Sequence, residues 1–99
     1  MKTITGLIGN KTMQTDLLNL KNLGNTSVNW LNAVGIQSRE DLERLGPVTA
    51  YNHIRQRGIK VSKVLLYAMQ AALLDIHWSE LDPALKNQLV READQRRHN

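Results

Sequence analysis

Along the chain, apolar residues recur at helical spacing in short bursts, and most bursts are closed by a glycine or opened by a proline or a small polar residue. Leu17, Leu18 and Leu20 predict a short first helix that stops at Gly24, with Asn25 or Thr26 set to cap the next one. That second helix carries Trp30, Leu31 and Val34 on one face and ends at Gly35. Ser38 followed by Asp41 three residues on has capping-box spacing, and predicts a third helix through Leu42 and Leu45 that Gly46 terminates. Pro47 suits a first helical position, so "PVTAYNHIRQR" predicts a fourth helix with Ala50, Tyr51 and Ile54 inward and Gly58 at its end.

The segment from Val61 to Ile76, "VSKVLLYAMQAALLDI", is apolar nearly all round, with Ser62 available as a cap. Such a helix is expected to be the central one, surrounded by the others or by a partner subunit. Its polar residues Lys63, Tyr67 and Gln70 fall on one narrow stripe at i, i+4 and i+7, which Leu74 extends. Asp82 as cap and Pro83 as first residue then open a final helix lined by Leu85, Leu89 and Ala93, ending in the polar "DQRRHN". No run of alternating β-branched residues bounded by turns predicts a strand. The expected fold class is therefore all-α: a compact five- to six-helix domain over residues 16–97, preceded by a loosely ordered segment, residues 1–15.

A chain of 99 residues supports one modest core, burying about 65% of the surface its unfolded form exposes. The net charge of +4 and pI near 9.8 matter less than their distribution. Between Glu43 and Asp75 there is no acidic residue, while Arg44, Arg55, Arg57, Lys60 and Lys63 all fall there. Segregated charge of this kind points to an anionic partner, although Arg55 and Arg57 also suit the negative end of the fourth helix dipole. The absence of cysteine removes disulfide and thiolate chemistry and fits a reducing, cytoplasmic setting. No segment approaches the ~20 apolar residues of a membrane span, and the first fifteen residues offer only Leu7-Ile8 where a signal peptide needs an apolar core.

Catalysis requires convergent groups, and the sequence suggests none, so the expectation is a protein that is not an enzyme and uses no cofactor or metal. His53, His77 and His98 are scattered, without the i, i+4 spacing of a helical metal pair. Glu40, Asp41 and Glu43 sit together at one helix start, where they serve capping and dipole charge. The glycines are single stops between helices rather than a phosphate-binding fingerprint. Trp30, Tyr51, Tyr67 and Trp78 each lie beside aliphatic residues at helical spacing, which predicts core packing, with Tyr67 the ring that shows an edge.

Leu20, Leu23, Gly24, Ser27, Leu31, Gly35 and Ile36 form the skeleton LxxLGxxSxxxLxxxGI. It resembles a helix-hairpin-helix motif, in which a tight glycine turn offers backbone N–H groups and the next helix N-terminus to a phosphate. More widely, "LKNLG..S..WLNAVGI", "S.EDLERLG", "AYNHIRQRG", "KVS..LLYAM" and "HWSEL" follow one another in the order and spacing of the C-terminal domain of the TfoX/Sxy family of bacterial competence regulators, which the chain resembles from Leu17 to Leu81. A weaker similarity, through "S..WLNAVGIQSREDL", is to the C-terminal domain of the bacterial RNA polymerase alpha subunit, which binds DNA and activators. The resemblance implies a small helical domain related to helix-hairpin-helix folds, acting without catalysis in the regulation of transcription or DNA uptake. Relatives usually carry the domain after a separate N-terminal one, so the expectation is a stand-alone version. They also have Pro-Lys where this chain has Asn25-Thr26, and Leu-Asn where it has Lys63-Val64.

Two partner classes follow. For a nucleic-acid phosphate backbone the candidate contacts are Lys21, Gly24, Asn25, Thr26, Ser27, Arg55, Arg57, Lys60 and Lys63. For a protein, whether a transcription factor, a polymerase subunit or a second copy in a homodimer, they are Lys63, Tyr67, Gln70 and Leu74. No set of side chains suits base-edge readout, so weak, sequence-tolerant DNA binding is expected.

Overall fold

Helix ends, more than helix interiors, decide how this chain turns back on itself. The computed structural model describes residues 16–97, and the expected loose segment 1–15 lies outside them. The first helix, expected to run through Leu20 and stop at Gly24, is helical only at residues 16–18, because the chain leaves it in a turn with the Leu20 N–H on the Leu17 carbonyl and reverses at Asn22. The chain then forms α1 (Asn25–Ala33), α2 (Arg39–Leu45), α3 (Pro47–Gln56), α4 (Lys63–Leu74), a 3-10 turn (Trp78–Glu80) and α5 (Pro83–Arg97), with no strand among the described residues.

Two helices end in the same hydrogen-bonded hook. At the end of α1, Gly35 takes a left-handed φ of 85°, and the N–H of Ile36 reaches back to the carbonyl of Leu31 while that of Gly35 reaches Asn32. At the end of α4, Asp75 (φ 60°) takes the glycine role, with Ile76 N–H on the Ala71 carbonyl and Asp75 N–H on Ala72. Both are Schellman closures, which satisfy carbonyls the helix would otherwise leave open. The predicted extent of α4, Val61 to Ile76, is therefore shortened at both ends. Ser62 caps from outside by accepting the Val64 N–H, and Asp75 stops the helix without a glycine. Nothing in the pattern of apolar residues marks Asp75 as a stop.

The N-terminal signals act as expected at α2, α3 and α5. The Ser38 hydroxyl accepts the Asp41 N–H at 3.1 Å, Pro47 is a first residue, and Asp82 accepts the Ala84 N–H at 2.9 Å. The Asp41 carboxylate departs from a strict capping box, because it accepts the N–H of Gln37, one residue before the cap.

Buried residues from every helix meet in one core: Leu31 of α1, Leu42 of α2, Ile54 of α3, Leu66 and Met69 of α4, and Leu89 of α5. Each such side chain removed from water contributes about 1.5–3 kcal/mol. Half of α4 is buried, as a nearly all-apolar helix requires. The helix with the most neighbours is nonetheless α3, which packs on α1, α2, α4 and α5, whereas α4 packs on α3, α5 and the 3-10 turn. Ala50, Tyr51 and Ile54 of α3 all point inward as predicted. Asn52 joins them, its amide donating to the Ala93 carbonyl of α5 at 3.2 Å.

Candidate nucleic-acid interface

The hairpin before α1 is not built around a glycine turn. Gly24 is extended (φ −102°, ψ −172°), it is itself the N-cap of α1, and a Cβ there would meet nothing within 4 Å. Asn25 and Thr26, expected as caps, are the first two helical residues, and no side chain caps this helix. The reversal happens two residues earlier, at Asn22, in the left-handed conformation with φ 74°, a backbone state asparagine tolerates better than most residues. The Asn22 amide donates to the Ile76 carbonyl at 2.9 Å, and its oxygen accepts the Trp78 N–H at 3.1 Å. One side chain thereby ties the hairpin to the corner between α4 and the 3-10 turn. Lys21, Gly24, Asn25 and Thr26 are exposed and Ser27 is half-buried.

The basic window does not act as one patch. Arg44 pairs with Asp41 at 2.8 Å on α2. The Arg55 guanidinium lies 4.5 Å from the centre of the Tyr51 ring and donates to both Asn52 and the Ala93 carbonyl. The bond to Ala93 fastens α3 to α5; both bonds come from one nitrogen, Nη2, while the buried Nε has no hydrogen-bond partner among the described residues. Arg57 is exposed beside His53 and Gln56, facing the end of α1 at Val34.

Lys60 and Lys63 remain, and their setting differs. Both line an open groove of about 650 Å³ between the second half of α3, the connection after it and the start of α4. Arg55, Gln56 and Ser62 line the same groove, and no acidic side chain does. Lys60 also lines a smaller depression of about 240 Å³ beside the hairpin, together with Ser27 and Trp30 of α1 and Val64 of α4. Within the basic window it is Lys60, then, that shares a depression with the hairpin, which lines it with Asn22 and Ser27 and not with Gly24.

On the other candidate surface, part of the stripe is already covered. The Tyr67 ring stacks on Trp78 with centroids 6.4 Å apart, and Lys86 Nζ sits 5.5 Å from both rings. Gln70 is half-buried, and Leu74, 49% exposed, is its open apolar residue. Of the four aromatic residues only Tyr51 is fully buried; Trp30, Tyr67 and Trp78 are all half-buried, so Tyr67 is not alone in showing an edge. Three side chains that organise these surfaces, Asn22, Asn52 and Lys86, carry no sequence signal beyond asparagine's general tolerance of turns.

Among the described residues no three His, Asp or Glu side chains gather to hold a metal ion. His53 is exposed on α3, and the His77 ring caps the 3-10 turn by accepting the Ser79 N–H at 3.2 Å, while His98 lies outside the described residues. No described helix is long and apolar enough to cross a membrane.

Comparison with known proteins agrees with this architecture. A crystal structure of an uncharacterized protein from Listeria monocytogenes, in a triclinic form, superposes with a TM-score of 0.74 at 29% identity, over 80% of this chain and 90% of that one. No curated protein sequence matches. The family model described as the TfoX C-terminal domain matches residues 13–93, and with nearly the whole chain so covered, the protein belongs to the TfoX C-terminal domain family.

Proposed function

We propose that this protein is a non-enzymatic regulatory module, acting in the cytoplasm on transcription or DNA uptake, that holds nucleic-acid backbone weakly through the corner between α3 and α4. The observation that carries this reading is Lys60, which lines both the acid-free groove it shares with Lys63 and the depression beside the hairpin. Cations gathered without a neighbouring carboxylate keep their attraction for phosphate, and binding them releases counterions from the nucleic acid. With Arg44 paired to Asp41 at the surface and Arg55 bonded to α5, the cations of the window without an ion pair among the described residues are Arg57, Lys60 and Lys63, of which two to three are counted for phosphate. Log affinity for a duplex is then expected to fall with log salt at a slope of about −2 to −3. In a salt-titrated binding assay, the double variant Lys60→Glu with Lys63→Glu abolishes most of that slope and of the low-salt affinity. A slope near zero in the unmodified protein, or affinity untouched by the two substitutions, overturns the reading.

The second reading is a pure protein–protein interaction domain, for oligomerisation or as an adaptor to a transcription factor or polymerase subunit. Leu74, 49% exposed on the stripe of Lys63, Tyr67 and Gln70, favours it. A sedimentation mass that stays monomeric across concentration, with no partner recovered from the host, counts against it.

A further inference from the structure

Trp30 occupies a position that the backbone-binding reading leaves unused. It belongs to α1 and packs against the core, yet it is only half-buried, and its open side lines the 240 Å³ depression. Its apolar lining besides Trp30 is Val61 and, from α4, Val64, Leu65 and Ala68, with Val64 41% exposed. Its polar lining residues are Asn22, Ser27, Lys60 and Ser62. Lys60 and Ser62 also line the larger groove, where Lys63 and Arg55 lie, so an apolar slot with an aromatic wall opens beside a cationic track.

That combination matches a nucleotide whose base is free of its neighbours. A base within a duplex is stacked on both faces and offers a protein only edges and phosphates. An unstacked base offers a whole face to an aromatic ring, while the adjoining phosphate can meet a lysine. A depression of 240 Å³ has room for one ring system and not for a helix. We propose that the nucleic acid preferred by this corner is single-stranded, one base lying against Trp30 and the adjoining backbone running past Lys60 towards Lys63. The inference rests on the backbone-binding reading and adds to it the form of the ligand.

The chain has two tryptophans, so Trp78→Phe makes Trp30 the sole tryptophan reporter in the full chain. At low salt this variant is titrated with end-labelled oligothymidine and with a duplex of the same length, following label anisotropy for occupancy and tryptophan emission for contact. The expected result is saturable quenching by the single strand that tracks occupancy, with tighter binding than the duplex. Trp30→Leu is expected to weaken single-strand binding about five- to 150-fold, the range for losing one stacked base, and to leave duplex binding unchanged. Because that substitution also touches the core, the quenching measurement stands as a test without it. Equal or tighter duplex binding, or full occupancy by the single strand without quenching, overturns the inference while the backbone-binding reading survives. Failure of both ligands to bind overturns the two together.

Discussion

Asp41 illustrates how much one side chain does at a helix start. Its carboxylate accepts the Gln37 N–H at 3.0 Å and a donor of Arg44 at 2.8 Å. The backbone donation from Gln37, followed by the bond to Arg44, holds its pKa below the ordinary 3.8. A folded pKa below the unfolded one means that the unfolded chain binds protons first as pH falls. The stability Asp41 contributes is therefore fully present above about pH 4–5 and is lost as pH drops through the ordinary carboxylate range and beyond. Asp41→Asn is expected to flatten part of the acid limb in urea melts taken between pH 6 and pH 2, and to change little of its shape above pH 5. An acid limb identical to that of the unmodified protein would show that these bonds form equally in the unfolded chain.

At the scale of elements, two glycines that look alike in sequence have opposite roles. Gly46 is the single residue between α2 and α3, with φ 91° and ψ 149°, a region open essentially to glycine alone. A Cβ there meets nothing within 4 Å, so Gly46→Ala is expected to destabilise through backbone strain, by about 1–3 kcal/mol. Gly24 is extended and caps α1 without a side-chain acceptor. Gly24→Ser supplies one and restricts the unfolded chain, so it is expected to stabilise by about 0.5–1 kcal/mol. Denaturant midpoints for the two variants should move in opposite directions. Destabilisation by Gly24→Ser would restore a conformational role for glycine in the hairpin. The helix that packs on four others, α3, is bounded by two glycines in positive φ, Gly46 before it and Gly58 (φ 86°) after it.

For the molecule as a whole, the bonds that hold distant parts together come from a few polar side chains. Asn22 and Trp78 are 56 positions apart, and Asn52 and Ala93 are 41 apart. Replacing Asn22 by glycine keeps the left-handed backbone and removes both hydrogen bonds, leaving part-buried groups at Ile76 and Trp78 unmatched, at an expected cost of about 1–3 kcal/mol. Asn22→Ala adds about 1 kcal/mol of backbone strain. Both variants should lower the melting temperature, alanine further, at about 4–8 °C per kcal/mol for a domain of this size. Amide exchange gives the specific reading, since the Trp78 N–H should lose protection before the amides of α4. Unchanged protection at Trp78 would mean that the tie between hairpin and corner does not form in solution.

Which parts were legible follows from the range of the forces involved. The identity of α1 to α5, the stops at Gly35, Gly46 and Gly58, and the caps at Ser38, Ser62 and Asp82 depend on neighbours within four or five positions, and apolar spacing and capping chemistry report them directly, whereas the helix expected to run through Leu20 to Gly24 is reduced to residues 16–18. The inward sets of α3 and α5 were legible for the same reason; the family was legible differently, as a resemblance carried by ordered blocks from Leu17 to Leu81, and the family model matches residues 13–93. The stop at Asp75 and the reversal at Asn22 were not, because residues that tolerate the left-handed state adopt it only where tertiary bonds or packing favour it. The basic window was legible as charge but not as a surface. Sequence placed five cations in one acid-free stretch, whereas folding engaged Arg44 on α2, spent Arg55 on α5 and turned Arg57 towards α1. Only Lys60 was carried to the hairpin, sharing one groove with Lys63 and a smaller depression with Trp30. Local chemistry determined most of the helices and most of their ends; tertiary bonds set the stop at Asp75 and the reversal at Asn22, and packing between helices far apart in sequence decided which charges and rings share a surface.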